Sequence, residues 1–118
     1  MIGQIVTVTI DRPLGSVHPK HSGIIYKVNY GYIEGLMGGD GEEQDAYVVG
    51  VDVPVKSFTG QIIAIIKRYD DIEDKLVVAP IGKSFTREQI DAFVSFQEKY
   101  FNYEILLSNG SDSKWTDM

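Results

Sequence analysis

No apolar run in this chain exceeds strand length. The longest, Ile62 to Ile66, falls far short of the ~20 residues needed to span a bilayer. Gln4 to Asp11 alternates branched and polar residues through Ile5, Val6, Thr7, Val8, Thr9 and Ile10, which predicts a strand. Arg12-Pro13-Leu14-Gly15-Ser16 breaks it, because Pro13 cannot donate to a ladder. His18 to Gly23 reads as a loop, Ile24 to Val28 as a second strand, and Asn29-Tyr30-Gly31-Tyr32-Ile33 as an extended continuation. Gly35, Gly38, Gly39 and Gly41 make residues 34–41 a flexible stretch. Further strands are predicted over Ala46 to Val49, Gly60 to Arg68, Lys75 to Ala79 and Tyr103 to Leu107.

One helix carries a clear start signal. Thr86-Arg87-Glu88-Gln89 fits a capping box, with Phe85 and Ile90 at the positions of a hydrophobic staple. Ile90, Phe93, Val94, Phe96, Tyr100 and Phe101 then recur at roughly helical spacing, as expected of a helix packed on a sheet. The expected fold is therefore mainly β: a small OB-like antiparallel barrel of five or six strands with one C-terminal α-helix packed against it. A single barrel domain is expected over 1–108, with a polar, fraying tail over 109–118.

Composition narrows the function. The net charge of −6 argues against a nucleic-acid binder, which needs an excess of Lys and Arg on some face. The absence of cysteine removes disulfides, a thiolate nucleophile and a Cys-based zinc site. Met1-Ile2-Gly3-Gln4 has no basic region and no apolar stretch of a signal peptide, so a cytoplasmic protein without a membrane partner is expected. His18 and His21 flank Pro19 in a loop with no evident third ligand, so zinc is disfavoured there.

The charge is unevenly spread. Asp40-Gly41-Glu42-Glu43-Gln44-Asp45 precedes one strand, and Asp70-Asp71-Ile72-Glu73-Asp74 follows another. Carboxylates this dense repel one another unless a cation sits between them. Mg²⁺ suits them, because it takes oxygen ligands and keeps waters and phosphates in its shell. Solvated turns are the alternative, since charge runs usually are such turns.

The order of these features resembles the soluble, Mg²⁺-dependent inorganic pyrophosphatases. The resemblance runs from Ile24 to Tyr100 through Asn29-Tyr30-Gly31-Tyr32-Ile33, the first acidic stretch, the second acidic stretch leading into Lys75-Leu76-Val77-Val78-Ala79-Pro80, and Glu98-Lys99-Tyr100. It implies hydrolysis of inorganic diphosphate (pyrophosphate), with Asp40, Glu42, Asp45, Asp70 (or Asp71) and Glu73 as metal ligands. It also implies Glu42 as the water-activating carboxylate, Tyr30 as a second catalytic residue, and Lys75, Tyr100 and Arg12 as substrate-binding residues. Glu42 and Glu73 replace aspartates of the family pattern, each moving a carboxylate by ~1.5 Å. Phe101 stands where a lysine is common and Lys27 where a proline is usual, and the family's N-terminal extension, with its further substrate-binding residues, is expected to be missing.

Two readings compete with hydrolysis. One is a metal- and diphosphate-binding module on the same fold with little or no hydrolytic activity. The other is an OB-like nucleic-acid binder, against which the net charge speaks. A homo-oligomer is left open.

Overall fold

The computed structural model describes residues 1–107. Its elements are β1 (Ile5–Arg12), β2 (Asn29–Met37), β3 (Glu43–Val48), β4 (Ser57–Arg68), β5 (Lys75–Ala79), α1 (Arg87–Glu98) and β6 (Tyr103–Leu106). The strands form one sheet in the order β1-β2-β3-β5-β4-β6, and a further β1–β4 pairing closes the first five into a barrel. No helix among the described residues is long and apolar enough to cross a membrane. The tail expected over 109–118 lies outside the described residues.

The barrel corrects one part of the expected fold: β3 and β5 pair in parallel, and every other pair is antiparallel. Closure explains this. Up and down cannot alternate around a ring with an odd number of strands, so five strands require one parallel pair. The turn over 69–74 makes β5 antiparallel to β4, and β5 then inserts beside β3.

Two other expectations shift. Residues 24–28 form no strand; Val17 and Ile25 make one isolated bridge, while Tyr26 and Val28 are buried. The stretch expected to be flexible instead carries β2 on to Met37, which pairs with Glu43 beyond an irregularity after Ile33. Asn29 anchors the surrounding loops: its Oδ1 accepts from the amides of Leu14 (2.9 Å) and Val55 (3.2 Å), and its Nδ2 donates to the carbonyl of Val53 (2.9 Å).

The strands bury both faces, so the core divides in two. Val8, Ile10, Ile33, Ala46, Val48, Ile62, Leu76 and Val78 fill the barrel. Tyr30, Tyr47, Val49, Ala64, Ile66, Val77 and Ala79 face outward and pack with Ile90 and Val94 of α1. The capping box of α1 forms as expected: Gln89 N donates to Thr86 Oγ1 (3.1 Å), and Thr86 N donates to Gln89 Oε1 (2.9 Å).

Two bulges change which face a strand presents. In β4 the register slips between Ile62 and Ala64, so Ile62 belongs to the barrel core while Ala64 and Ile66 belong to the helix side. In β1 it slips between Ile10 and Arg12. An unbroken strand would send Arg12 into the barrel with Ile10; the extra residue re-aims it toward Tyr26 and Tyr30. Gly31 sits at the crossing of β1 and β2, where a Cβ would lie 1.8 Å from the carbonyl oxygen of Thr9.

Candidate active site

The helix-side face of the barrel collects polar side chains at one end. Tyr30 and Asp45 share the outward phase of Tyr47 in their two strands, Lys75 that of Val77, and Arg68 that of Ala64 and Ile66. The bulge adds Arg12. These five side chains, from five strands, border a cleft of about 730 Å³ together with Glu73, Gln97, Tyr100 and the loop from His18 to Ile24.

At the centre, Lys75 is buried with its Nζ 2.7 Å from Asp45 Oδ2 and in contact with Glu73. The Tyr30 hydroxyl donates to the same Asp45 oxygen at 2.8 Å. Burial lowers the Lys75 pKa, and Asp45 opposes that shift. Burial, followed by the Asp45 charge, pushes the Tyr30 phenol well up, so Tyr30 serves as a donor and not as a base at neutral pH.

On one side, Arg12 donates from Nη1 to the Tyr26 hydroxyl at 2.7 Å. Deeper, Arg68 is buried and forks onto Glu98, with Nε–Oε1 at 2.9 Å and Nη2–Oε2 at 2.6 Å, while Nη1 reaches Asp71 Oδ2 at 3.1 Å. Its guanidinium carbon lies 3.7 Å from the centre of the Phe101 ring, a close cation–π stack.

The sequence candidates fall into two groups. Arg12, Tyr30, Asp45, Glu73, Lys75 and Tyr100 border the cleft, with Tyr100 at its exposed mouth. Asp40, Glu42 and Asp70 are exposed and do not line it. Asp40 Oδ1 accepts from the Glu42 amide (3.0 Å), and Asp70 Oδ2 accepts from the Asn102 amide (3.1 Å). The loops bearing these acids nonetheless touch. A Cβ on Gly39 would lie 2.4 Å from the Ile72 carbonyl oxygen, and Gln44 Nε2 donates to the Asp74 carbonyl at 2.6 Å. Among the described residues, no three His, Cys, Asp or Glu side chains stand together as a metal cluster.

Charge in the cleft opposes that of the whole chain. Arg12, Lys20, Arg68 and Lys75 line it, against two carboxylates, Asp45 and Glu73. A protein of net charge −6 thus places four of its eleven Lys and Arg around one concavity, Arg68 paired behind it with Glu98 and Asp71, an arrangement that suits an anionic ligand.

The sequence matches no protein-family profile and no curated protein. Its structure, in contrast, superposes on solved inorganic pyrophosphatases. The enzyme from Ehrlichia chaffeensis matches with a TM-score of 0.66 at 16% identity, over 88% of this chain and 85% of that one. The chain has the fold of the inorganic pyrophosphatases. The enzyme from Coxiella burnetii matches at 0.62 and 16% identity, over 89% and 85% of the two chains. That from Helicobacter pylori matches at 0.58 and 16%, over 89% and 82%. At this identity the shared property is the fold.

Sequence reasoning missed Tyr26, Arg68 and Gln97. A signal existed for two of them. Arg68 continues the outward phase of Ala64 and Ile66, and Gln97 lies three residues after Val94 and seven after Ile90, on the buried stripe of α1. Tyr26 gave no such signal, because it sits in irregular chain.

Proposed function

We propose that the cleft binds inorganic diphosphate and hydrolyses it to two phosphates with Mg²⁺. The observation that carries this reading is the cationic cleft of an otherwise acidic chain, set on a pyrophosphatase fold. The donor chemistry suits the ion. Asp45 and Glu73 converge on one point, now held by the Lys75 ammonium, and Mg²⁺ typically takes one or two carboxylates with waters and substrate phosphates completing its shell. Asp40, Glu42 and Asp70, on the adjoining loops, are the further ligands in this reading. Bound Mg²⁺ would neutralise phosphoryl charge and acidify a water.

The chain's own groups supply the rest. Lys75 and the Arg12 fork neutralise charge gathering on the leaving phosphate. Tyr100, at the mouth, offers a hydroxyl donor to phosphoryl oxygens, Tyr30 spends its proton on Asp45 and holds that carboxylate in place, and Glu42 accepts the proton of the attacking water. A binding module with little hydrolysis is the second reading. It is favoured by one observation, that Lys75 engages both Asp45 and Glu73.

Phosphate release from pyrophosphate, with and without Mg²⁺, against a panel of nucleotides and phosphomonoesters, separates the two. Mg²⁺-dependent release selective for pyrophosphate supports hydrolysis. Pyrophosphate binding without release supports the module. Neither binding nor release contradicts both.

A further inference from the structure

A single file of hydrogen bonds runs beneath the cleft from Arg12 to Arg68. Arg12 Nη1 donates to Tyr26 Oη (2.7 Å), Tyr26 Oη donates to Gln97 Oε1 (2.8 Å), Gln97 Nε2 donates to Tyr47 Oη (2.7 Å), and Tyr47 Oη donates to Glu98 Oε2 (2.6 Å). Glu98 closes the file on Arg68 through two parallel bonds. Tyr26, Tyr47 and Glu98 are wholly buried, and Gln97, which borders the cleft, nearly so.

The direction of the file is fixed at its inner end. A guanidinium only donates, so Glu98 meets it as a carboxylate, which only accepts. The Tyr47 hydroxyl must therefore spend its one proton on Glu98, leaving its oxygen free only to accept. Gln97 must then turn its amide nitrogen to Tyr47 and its carbonyl oxygen to Tyr26. The Tyr26 hydroxyl in turn donates to Gln97 and presents its lone pairs to Arg12. A flipped Gln97 amide would aim the hydroxyl proton at the guanidinium and repel it.

We infer that Gln97 is a positioning residue: its amide, oriented by Tyr47 and the Glu98–Arg68 pair, holds the Tyr26 hydroxyl in the sense that captures and aims Arg12. This deepens the reading in which Arg12 grips the diphosphate, and rests on that reading for its effect on substrate. Gln97 itself needs no contact with the reacting atoms.

The test reads Arg12 directly by ¹⁵N NMR of the guanidinium in the full chain. The Arg12→Lys spectrum assigns its signals. In the wild type, Arg12 should show separate, slowly exchanging Nη signals. Gln97→Leu and Tyr47→Phe should average them, with proton exchange about tenfold faster, the scale of one charge-assisted hydrogen bond. Tyr47→Phe is the sharper variant, since it alters neither Arg12 nor Tyr26 nor any side chain that lines the cleft. It also decides the matter if Gln97→Leu fails to fold. With turnover as a second readout, kcat/KM for pyrophosphate should fall about tenfold in both variants. Unchanged Arg12 signals in a folded Tyr47→Phe protein would overturn the inference, as would averaged signals in the wild type. Because the NMR readout needs no turnover, a wild type that releases no phosphate refutes the proposed hydrolysis and leaves this test standing.

Discussion

The two sides of the cleft are built differently. One is a wall of strand and helix side chains: Arg12, Tyr30, Arg68 and Lys75 each have a named partner within 3.1 Å, and Arg68 and Lys75 are almost wholly buried. The other is a pair of exposed acidic loops, 38–42 and 69–74, joined to each other by the close approach at Gly39 and by the Gln44 amide. The wall's cations are fixed before any ligand arrives. The exposed carboxylates of Asp40 and Asp70 each accept from one backbone amide, and Glu42 is exposed beside them. In the proposed function, preorganised charge binds the diphosphate, and the adaptable loops bring oxygen ligands to the metal. This contrast can be broken or sharpened by substitutions on either side.

The largest effect is expected on the wall. Arg68→Met should destabilise the fold by about 3–5 kcal/mol, because it leaves Glu98 buried without its partner. Glu42→Gln, on the exposed loop, should stay within about 0.5 kcal/mol. Urea denaturation of both variants checks this, and equal losses would erase the distinction between wall and loop.

Lys75→Ala should come next. It removes a cation from the centre of the cleft and leaves Asp45 and Glu73 facing each other. We expect kcat/KM for pyrophosphate to fall about 100- to 1000-fold, in the range found for removing one preorganised donor, through both affinity and rate. Steady-state kinetics would contradict the assignment if KM alone rose slightly.

Mg²⁺ should stabilise the wild type by mass action, about 2.7 kcal/mol at a concentration 100 times its Kd. The melting temperature should rise more than in NaCl of equal ionic strength. An equal rise would mean plain screening of the loop acids. Smallest is Thr86→Ala, which removes the cap of α1 and should cost about 1 kcal/mol by denaturant titration while leaving kcat unchanged.

Much of the wall's scaffold was legible in the sequence, because strand and cap signals are local. The capping box at Thr86 and the strand over Lys75–Ala79 appear where propensity puts them. What was not legible depends on closure. The parallel β3–β5 pair follows from an odd-membered ring, which no local pattern reveals. The β1 bulge aims Arg12 out of the barrel against the simple alternation of its strand. Tyr26 could not be foreseen as an Arg12 partner, because its place depends on the irregular chain between Pro13 and Val28, including the loop that Asn29 ties down. At the candidate site, the residue types were readable, but the division between buried cations and exposed carboxylates was not.

The central claim is that the cations of the wall hold the diphosphate while Glu42 of the loop takes the proton of the attacking water. It is tested most directly by measuring, on the same Glu42→Gln protein, calorimetric pyrophosphate binding with Mg²⁺ and the rate of phosphate release. At saturating Mg²⁺ the account predicts affinity within about threefold of wild type and a loss of turnover of at least about 100-fold, as expected for a metal ligand whose larger contribution is to accept the proton in the transition state. Wild-type rates of release in Glu42→Gln, or loss of binding in step with turnover, would contradict it.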